Sequence, residues 1–280
     1  MTEVVILSGA RTAQGSFMGS LGTVPAPRLA AVAIEGALKK ASVAPDQVSE
    51  VIMGNVLSAG QGQAPARQAM IYAGIPKSVP AMTINKVCGS GMKAIMLGAQ
   101  SIRLGESDLV VAGGMESMSL APYILPDARS GLRMGEKPFV DSMISDGLWD
   151  PYQNQHMGNC GELCAKEHGI SRQEQDSYAV ESFERALAAQ KDGKFTSEIV
   201  PVVLSDKKGQ TVVEQDEGPA KVNFDKIPQL KPVFDKNGTI TPANASTIND
   251  GAAALLLSSS EKAKALGLKP VARLVSMAQY

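Results

Sequence analysis

The chain has 280 residues, 44% of them hydrophobic, and its 27 Lys plus Arg balance 28 Asp plus Glu to a formal charge of -1. A sequence of this length buries a large core without disulfide staples, and its near-neutral balance offers no basic field to hold a nucleic-acid backbone. The three cysteines, at 88, 160 and 164, form neither a framework of paired bridges nor the spacing of a zinc site, so a reducing compartment and no metal are expected.

The apolar runs are short and fall below the roughly 20 residues that cross a bilayer. The start Met1-Thr2-Glu3-Val4 has neither the basic region nor the apolar core of a secretory signal. These features predict a cytoplasmic protein with no membrane partner.

Taken in chain order, Val4 to Ser8 is a β-branched apolar run that reads as a strand buried on both faces. Arg28 to Lys40 carries the helical period through Leu29, Val32, Ala33, Gly36 and Ala37, and stops before Pro45-Asp46. A strand within Val48 to Val56, a helix over Pro65 to Tyr72 and a strand at Ala81 to Asn85 follow. The segment Val87-Cys88-Gly89-Ser90-Gly91 then turns into a helix reaching about Leu104, and Asp108 to Gly114 is a further buried strand. This alternation predicts an α/β fold with a mixed, mostly parallel sheet covered by helices.

From Ala121 to about Thr247 proline, charge and irregular segments replace that rhythm, which predicts an inserted unit. Its one well-marked helix opens at Ser171, whose spacing to Glu174 is that of a capping box. Asp250 to Ser258 returns to the buried-strand pattern, Glu261 to Leu266 is a short helix, and Pro270 to Ala278 reads as a last strand. The α/β unit is therefore expected to be discontinuous.

Cys88 is the leading candidate for chemistry. Sites in such sheets form where strands end and helices begin, and the unpaired N–H groups of a first helical turn stabilise an anion, which favours a thiolate nucleophile. Gly89 and Gly91 remove side chains that would crowd an incoming group. The plain alternative is a buried, inert cysteine.

Five segments taken together resemble the thiolase family, and within it the short-chain acetyl-CoA acetyltransferases. They are Ser8-Gly9-Ala10-Arg11-Thr12-Ala13, Asn85 to Ala94 around Cys88, Gly113-Gly114-Met115-Glu116-Ser117-Met118-Ser119, Gln155-His156-Met157-Gly158, and Asn244 to Ala254. They occur in the family's order over nearly the whole chain.

The resemblance implies a thiolase N-terminal α/β domain at 1–120 plus 248–268, a coenzyme A-binding loop domain inserted at 121–247, and the start of a C-terminal domain at 269–280. It implies that Cys88 accepts an acyl group from acetyl-CoA and that a carbon nucleophile from a second acetyl-CoA displaces it, with thiolysis as the reverse. Coenzyme A and acetyl-CoA are then substrates and no prosthetic group is implied. His156 and Met157 lie against the pantetheine arm, Lys221 meets the phosphate end, Phe234 walls the adenine pocket and Ser246 contacts a pantetheine amide. A homodimer or homotetramer is implied as well.

The sequence also departs from the full family. It contains no Gly-His-Pro segment, no second cysteine followed by Gly-x-Gly and no Asn-Glu-Ala-Phe segment, so this chain alone is expected to lack turnover. The alternatives are a thiolase for longer 3-oxoacyl-CoA substrates, a condensing enzyme using an acyl carrier protein, and a non-catalytic fragment that binds coenzyme A. Cys160 and Cys164 share a helical face if Cys160 to Glu167 is a helix, and are expected to face the core. His168 is expected to be exposed.

Overall fold

A computed structural model describes residues 2–207 and 209–279. By contacts the chain divides into two compact units. The first comprises 1–120, 198–215 and 249–280, and the second 121–197 and 216–248.

The first unit opens with an alternating run. β1 (Val4–Arg11) is followed by α1 (Ala26–Ala41), β2 (Glu50–Gly54), α2 (Pro65–Tyr72), β3 (Ala81–Ile84), α3 (Ser90–Leu104) and β4 (Leu109–Ser117). α1 has Pro25 at its N-cap and Pro27 in its first turn, where a missing N–H costs no helical bond, and Lys39 and Lys40 lie in its last turn. The second unit follows with α4 (Met157–Glu167) and α5 (Arg172–Lys191). Ser171 and Glu174 close the expected capping box on α5, whereas Tyr178 on that helix is 75% exposed.

The chain then returns to the first unit through a hairpin of β5 (Val202–Asp206) and β6 (Gly209–Val213). It ends with β7 (Asn249–Ser259), α6 (Ser260–Ala265) and β8 (Ala272–Arg273).

The strand order of the sheet is β8-β1-β7-β4-β2-β3. β2 pairs parallel with β3 and with β4, while β7 runs antiparallel between β1 and β4. β1, β2, β3 and β4 therefore share one direction, giving the mixed, predominantly parallel α/β fold that the alternation predicts. Successive residues feed opposite faces: Val51 and Met53 join Leu29, Ile34 and Met70 of α1 and α2, whereas Ile52 joins Ala94, Ala99 and Ile102 of α3. Val110 and Val111 divide in the same way.

One segment groups differently from the sequence expectation. Residues 198–215, expected inside the insertion, group with the first unit. Backbone bonds tie Arg11 N–H to Glu198 O at 3.0 Å and Val200 N–H to Arg11 O at 2.8 Å, and Val200 packs so closely on α1 that a Cβ at Gly36 would lie 2.3 Å from its Cγ2. Within the expected strand Pro270 to Ala278, Ala272–Arg273 form β8, with Val5 opposite Arg273 and Ile6 opposite Ala272. The open edge of β1 takes these bonds, and Leu274 and Met277 pack on the α3 side of the sheet.

Candidate active site

β3 ends at Ile84 and α3 begins at Ser90, so Cys88 occupies the turn between a strand end and a helix N-terminus at the edge where the parallel strands finish. The thiol is free and exposed, which removes the buried-cysteine alternative. Val87, immediately before it, has φ +46°. A β-branched residue held in that region stores about 1–3 kcal/mol, a strain that clusters at functional turns.

Ser90 holds the turn in this shape. Its Oγ accepts the Lys86 N–H at 2.7 Å and donates to Val87 O at 2.6 Å, and Asn85 Oδ1 accepts the Val87 N–H at 2.9 Å.

Close backbone approach then seats α3 on the sheet. A Cβ on Gly54, the last residue of β2, would lie 2.6 Å from Ser90 Cβ and 2.8 Å from Gly91 N. One on Gly113 would lie 2.0 Å from Ala253 O. Only glycine fits at either position; Gly54 brings the first turn of α3 onto β2, Gly113 brings β4 onto β7, and a Cβ on Gly91 would lie 3.6 Å from Gly114 N of β4, with Cys88 just ahead of this helix start. An exposed thiol there is suited to attack an electrophilic carbonyl and to have the resulting negative charge met by backbone N–H dipoles.

Gly113 to Ser119 and the Asn249 to Ala254 part of the last segment meet in this unit through one buried carboxylate. Asp250 Oδ1 accepts the Ser119 N–H at 2.9 Å, its Oδ2 accepts the Ser119 hydroxyl at 2.6 Å, and the Ser119 Oγ accepts the Met18 N–H at 2.8 Å. Asp250 is 0% exposed, so this contact is scaffold at the end of β4.

The other candidates belong to the second unit. His156 is the N-cap of α4, and its Nδ1 accepts the Gly158 N–H at 3.0 Å, which leaves Nε2 as the ring nitrogen available to other partners. Its ring stacks on Phe234 with centroids 4.9 Å apart and planes 23° apart. Met157 is 43% exposed and Ser246 is exposed beyond a turn closed by Ala245 N–H to Thr241 O at 3.0 Å.

Lys221 is exposed and faces Glu217 at 3.6 Å. An open cleft of about 890 Å³ in this unit has Phe234 and Gln155 in its wall together with Asn159, Lys166 and Lys236, which sequence reasoning did not single out. Thus the structure brings His156 and Phe234 together and places Lys221 in an ion pair. Cys160 is half-buried and accepts from Gln155 Nε2 at 3.4 Å, while Cys164 is exposed on α4. The expectation that both face the core is corrected: α4 buries only Ala165 fully. His168 is exposed.

Val87 and Ser90 lie within a quoted segment, yet no sequence signal marked either as shaping the Cys88 turn, since a valine is among the last residues expected at positive φ. Their roles emerge only when β2, β4 and α3 are assembled.

Comparison with known proteins agrees with this arrangement. The model of the thiolase N-terminal domain matches residues 4–261. The chain is 58% identical over 280 residues to the acetyl-CoA acetyltransferase of Cupriavidus necator, covering 99% of this chain and 71% of that protein. It is 52% identical over 280 residues to the acetyl-CoA acetyltransferase of Pseudomonas aeruginosa, with the same coverage of 99% and 71%. The mitochondrial acetyl-CoA acetyltransferase of Mus musculus is 52% identical over 280 residues, 99% of this chain and 66% of that protein. Because the match runs through both compact units and nearly every residue, the chain belongs to the thiolase family.

Proposed function

We propose that this chain carries the acyl-accepting part of an acetyl-CoA C-acetyltransferase. The Cys88 thiolate attacks the thioester carbonyl of acetyl-CoA, the bond to the coenzyme A sulfur breaks, and coenzyme A leaves as its thiolate. A carbanion formed at the α-carbon of a second acetyl-CoA then attacks the acyl-cysteine carbonyl, forming the carbon–carbon bond of acetoacetyl-CoA and releasing Cys88. Thiolysis is the reverse. Exchange of one thioester for another makes the capture step nearly balanced, so the demanding step is removal of the α-proton.

His156, Met157, Phe234 and Ser246 form the surface proposed to receive coenzyme A, with Lys221 free to exchange Glu217 for a phosphate. We assign the two units to a thiolase N-terminal domain and its coenzyme A-binding insertion. Three free thiols support a reducing, cytoplasmic setting, and the resemblance supports a homodimer or homotetramer. No helix among the described residues is long and apolar enough to cross a membrane.

The observation that carries this reading is the exposed Cys88 thiol on a strained turn at the N-terminus of α3. Intact mass after exposure to acetyl-CoA tests it. One acetyl group is expected on the wild type and none on Cys88→Ala, and an unmodified wild type would remove Cys88 from the role.

A further inference from the structure

Glu116 lies near the end of β4, in the partly buried space beneath the loop that leaves β2. Its two oxygens collect donors from three consecutive residues. Oε1 accepts from Asn55 Nδ2 at 2.7 Å and from the Leu57 N–H at 3.0 Å, and Oε2 accepts from the Val56 N–H at 2.9 Å. Asn55 Nδ2 also donates to Met115 O at 3.2 Å.

The Asn55 side chain is 2% exposed, and its Oδ1 has no partner among the described residues. The amide is therefore held through its nitrogen alone, and Glu116 is its charged acceptor. Each N–H bond to the carboxylate is about twice as strong as a neutral one, and a carboxylate can accept from all three donors at once.

The loop begins at Gly54, and Gly54 abuts Ser90 and Gly91 with no room for a Cβ. Ser90 in turn closes the turn that carries Cys88 by its bonds to Lys86 and Val87. A continuous run of contacts thus leads from the Glu116 carboxylate through residues 55–57 and Gly54 to the first turn of α3. Packed elements transmit such displacements because the interior has no slack to absorb them.

We propose that Glu116 is a positioning residue for Cys88: by clamping Asn55, Val56 and Leu57 it seats Gly54 against Ser90 and so fixes the thiol for acyl transfer. This rests on the reading of Cys88 as the acyl acceptor. In this role Glu116 acts through residues 55–57.

The test compares two exposed thiols of the full chain. Cys88 and Cys164 are alkylated with iodoacetamide and followed separately by peptide mass, and acetylation by acetyl-CoA is followed by intact mass. Glu116→Gln keeps the side-chain shape but turns an N–H2 group toward at least one of the three donors. It is expected to slow acetylation of Cys88 by about tenfold or more, as a small misplacement of a reacting atom does, and to change the Cys88 to Cys164 alkylation ratio.

Glu116→Asp, which keeps the charge, is expected to lie between Gln and the wild type. A purely structural role lowers the melting temperature but leaves the alkylation ratio unmoved, and that result in a folded variant overturns the proposal. Should Glu116→Gln fail to fold, Glu116→Asp decides by the same ratio. A wild type that alkylates at Cys88 but does not acetylate refutes the acyl-acceptor reading instead, while the alkylation ratio still reports on Glu116.

Discussion

The Phe234 ring stacks on His156 at 4.9 Å because the residue at 158 has no side chain: a Cβ there would lie 2.3 Å from the Phe234 ring carbons. Gly158→Ala is therefore expected to displace the ring and break the stack. An aromatic pair contributes about 1 kcal/mol beyond its burial, so coenzyme A should bind about fivefold more weakly if this surface receives it. Calorimetric titration of Gly158→Ala and Phe234→Ala checks the expectation, and unchanged affinity in both would separate the stack from ligand binding.

Gly113 illustrates the same constraint in the sheet. A Cβ at this position would sit only 2.0 Å from Ala253 O, so Gly113→Ala must push β4 and β7 apart. Overpacking against backbone should cost about 3 kcal/mol. Denaturant unfolding would show it as a lower midpoint, and a midpoint equal to wild type would contradict the tight pairing.

Ser90 makes its two side-chain bonds within the Cys88 turn. Ser90→Ala leaves the Lys86 N–H without that acceptor and releases Val87 from a conformation it adopts only under constraint. The expected loss is about 1–2 kcal/mol of stability, with slower acetylation of Cys88. Intact-mass kinetics measure the second effect, and a rate equal to wild type would show that the strained turn is not needed for acyl capture.

Burial pushes the Glu116 carboxyl above its ordinary 4.5, against the opposing pull of the Val56 and Leu57 N–H groups. The native state then holds this proton more tightly than the unfolded chain does. Glu116's contribution to stability is greatest below the ordinary carboxylate value and declines as pH rises through the raised folded value. Glu116→Gln lacks that slope, so its melting temperature relative to wild type should rise as pH increases across this window. A relative melting temperature that falls instead would reverse the assigned direction.

The order and type of the elements were legible in the sequence because apolar periodicity and punctuation agree with the tertiary outcome. Pro65 to Tyr72 is a helix with the expected bounds, and Ser171 with Glu174 caps α5 as their spacing requires. Cys88 stood out because Gly89 and Gly91 follow it between a strand pattern and a helix pattern. The grouping of 198–215 and the edge that β8 joins were not legible, since short runs such as Val200 to Val203 or Val271 to Val275 carry no information about which open edge or helix face will receive them.

What the sequence by itself determined is therefore local: where strands and helices lie, which side chains are apolar, and where a reactive sulfur meets a helix start. Tertiary structure alone decided that Glu116 of β4 would grip residues 55–57, that Gly54 would meet Ser90, and that Val87 would be held at positive φ. The physical reason is that the contacts seating this turn join residues far apart in the chain, and their geometry exists only once the sheet order brings β2, β4 and α3 together.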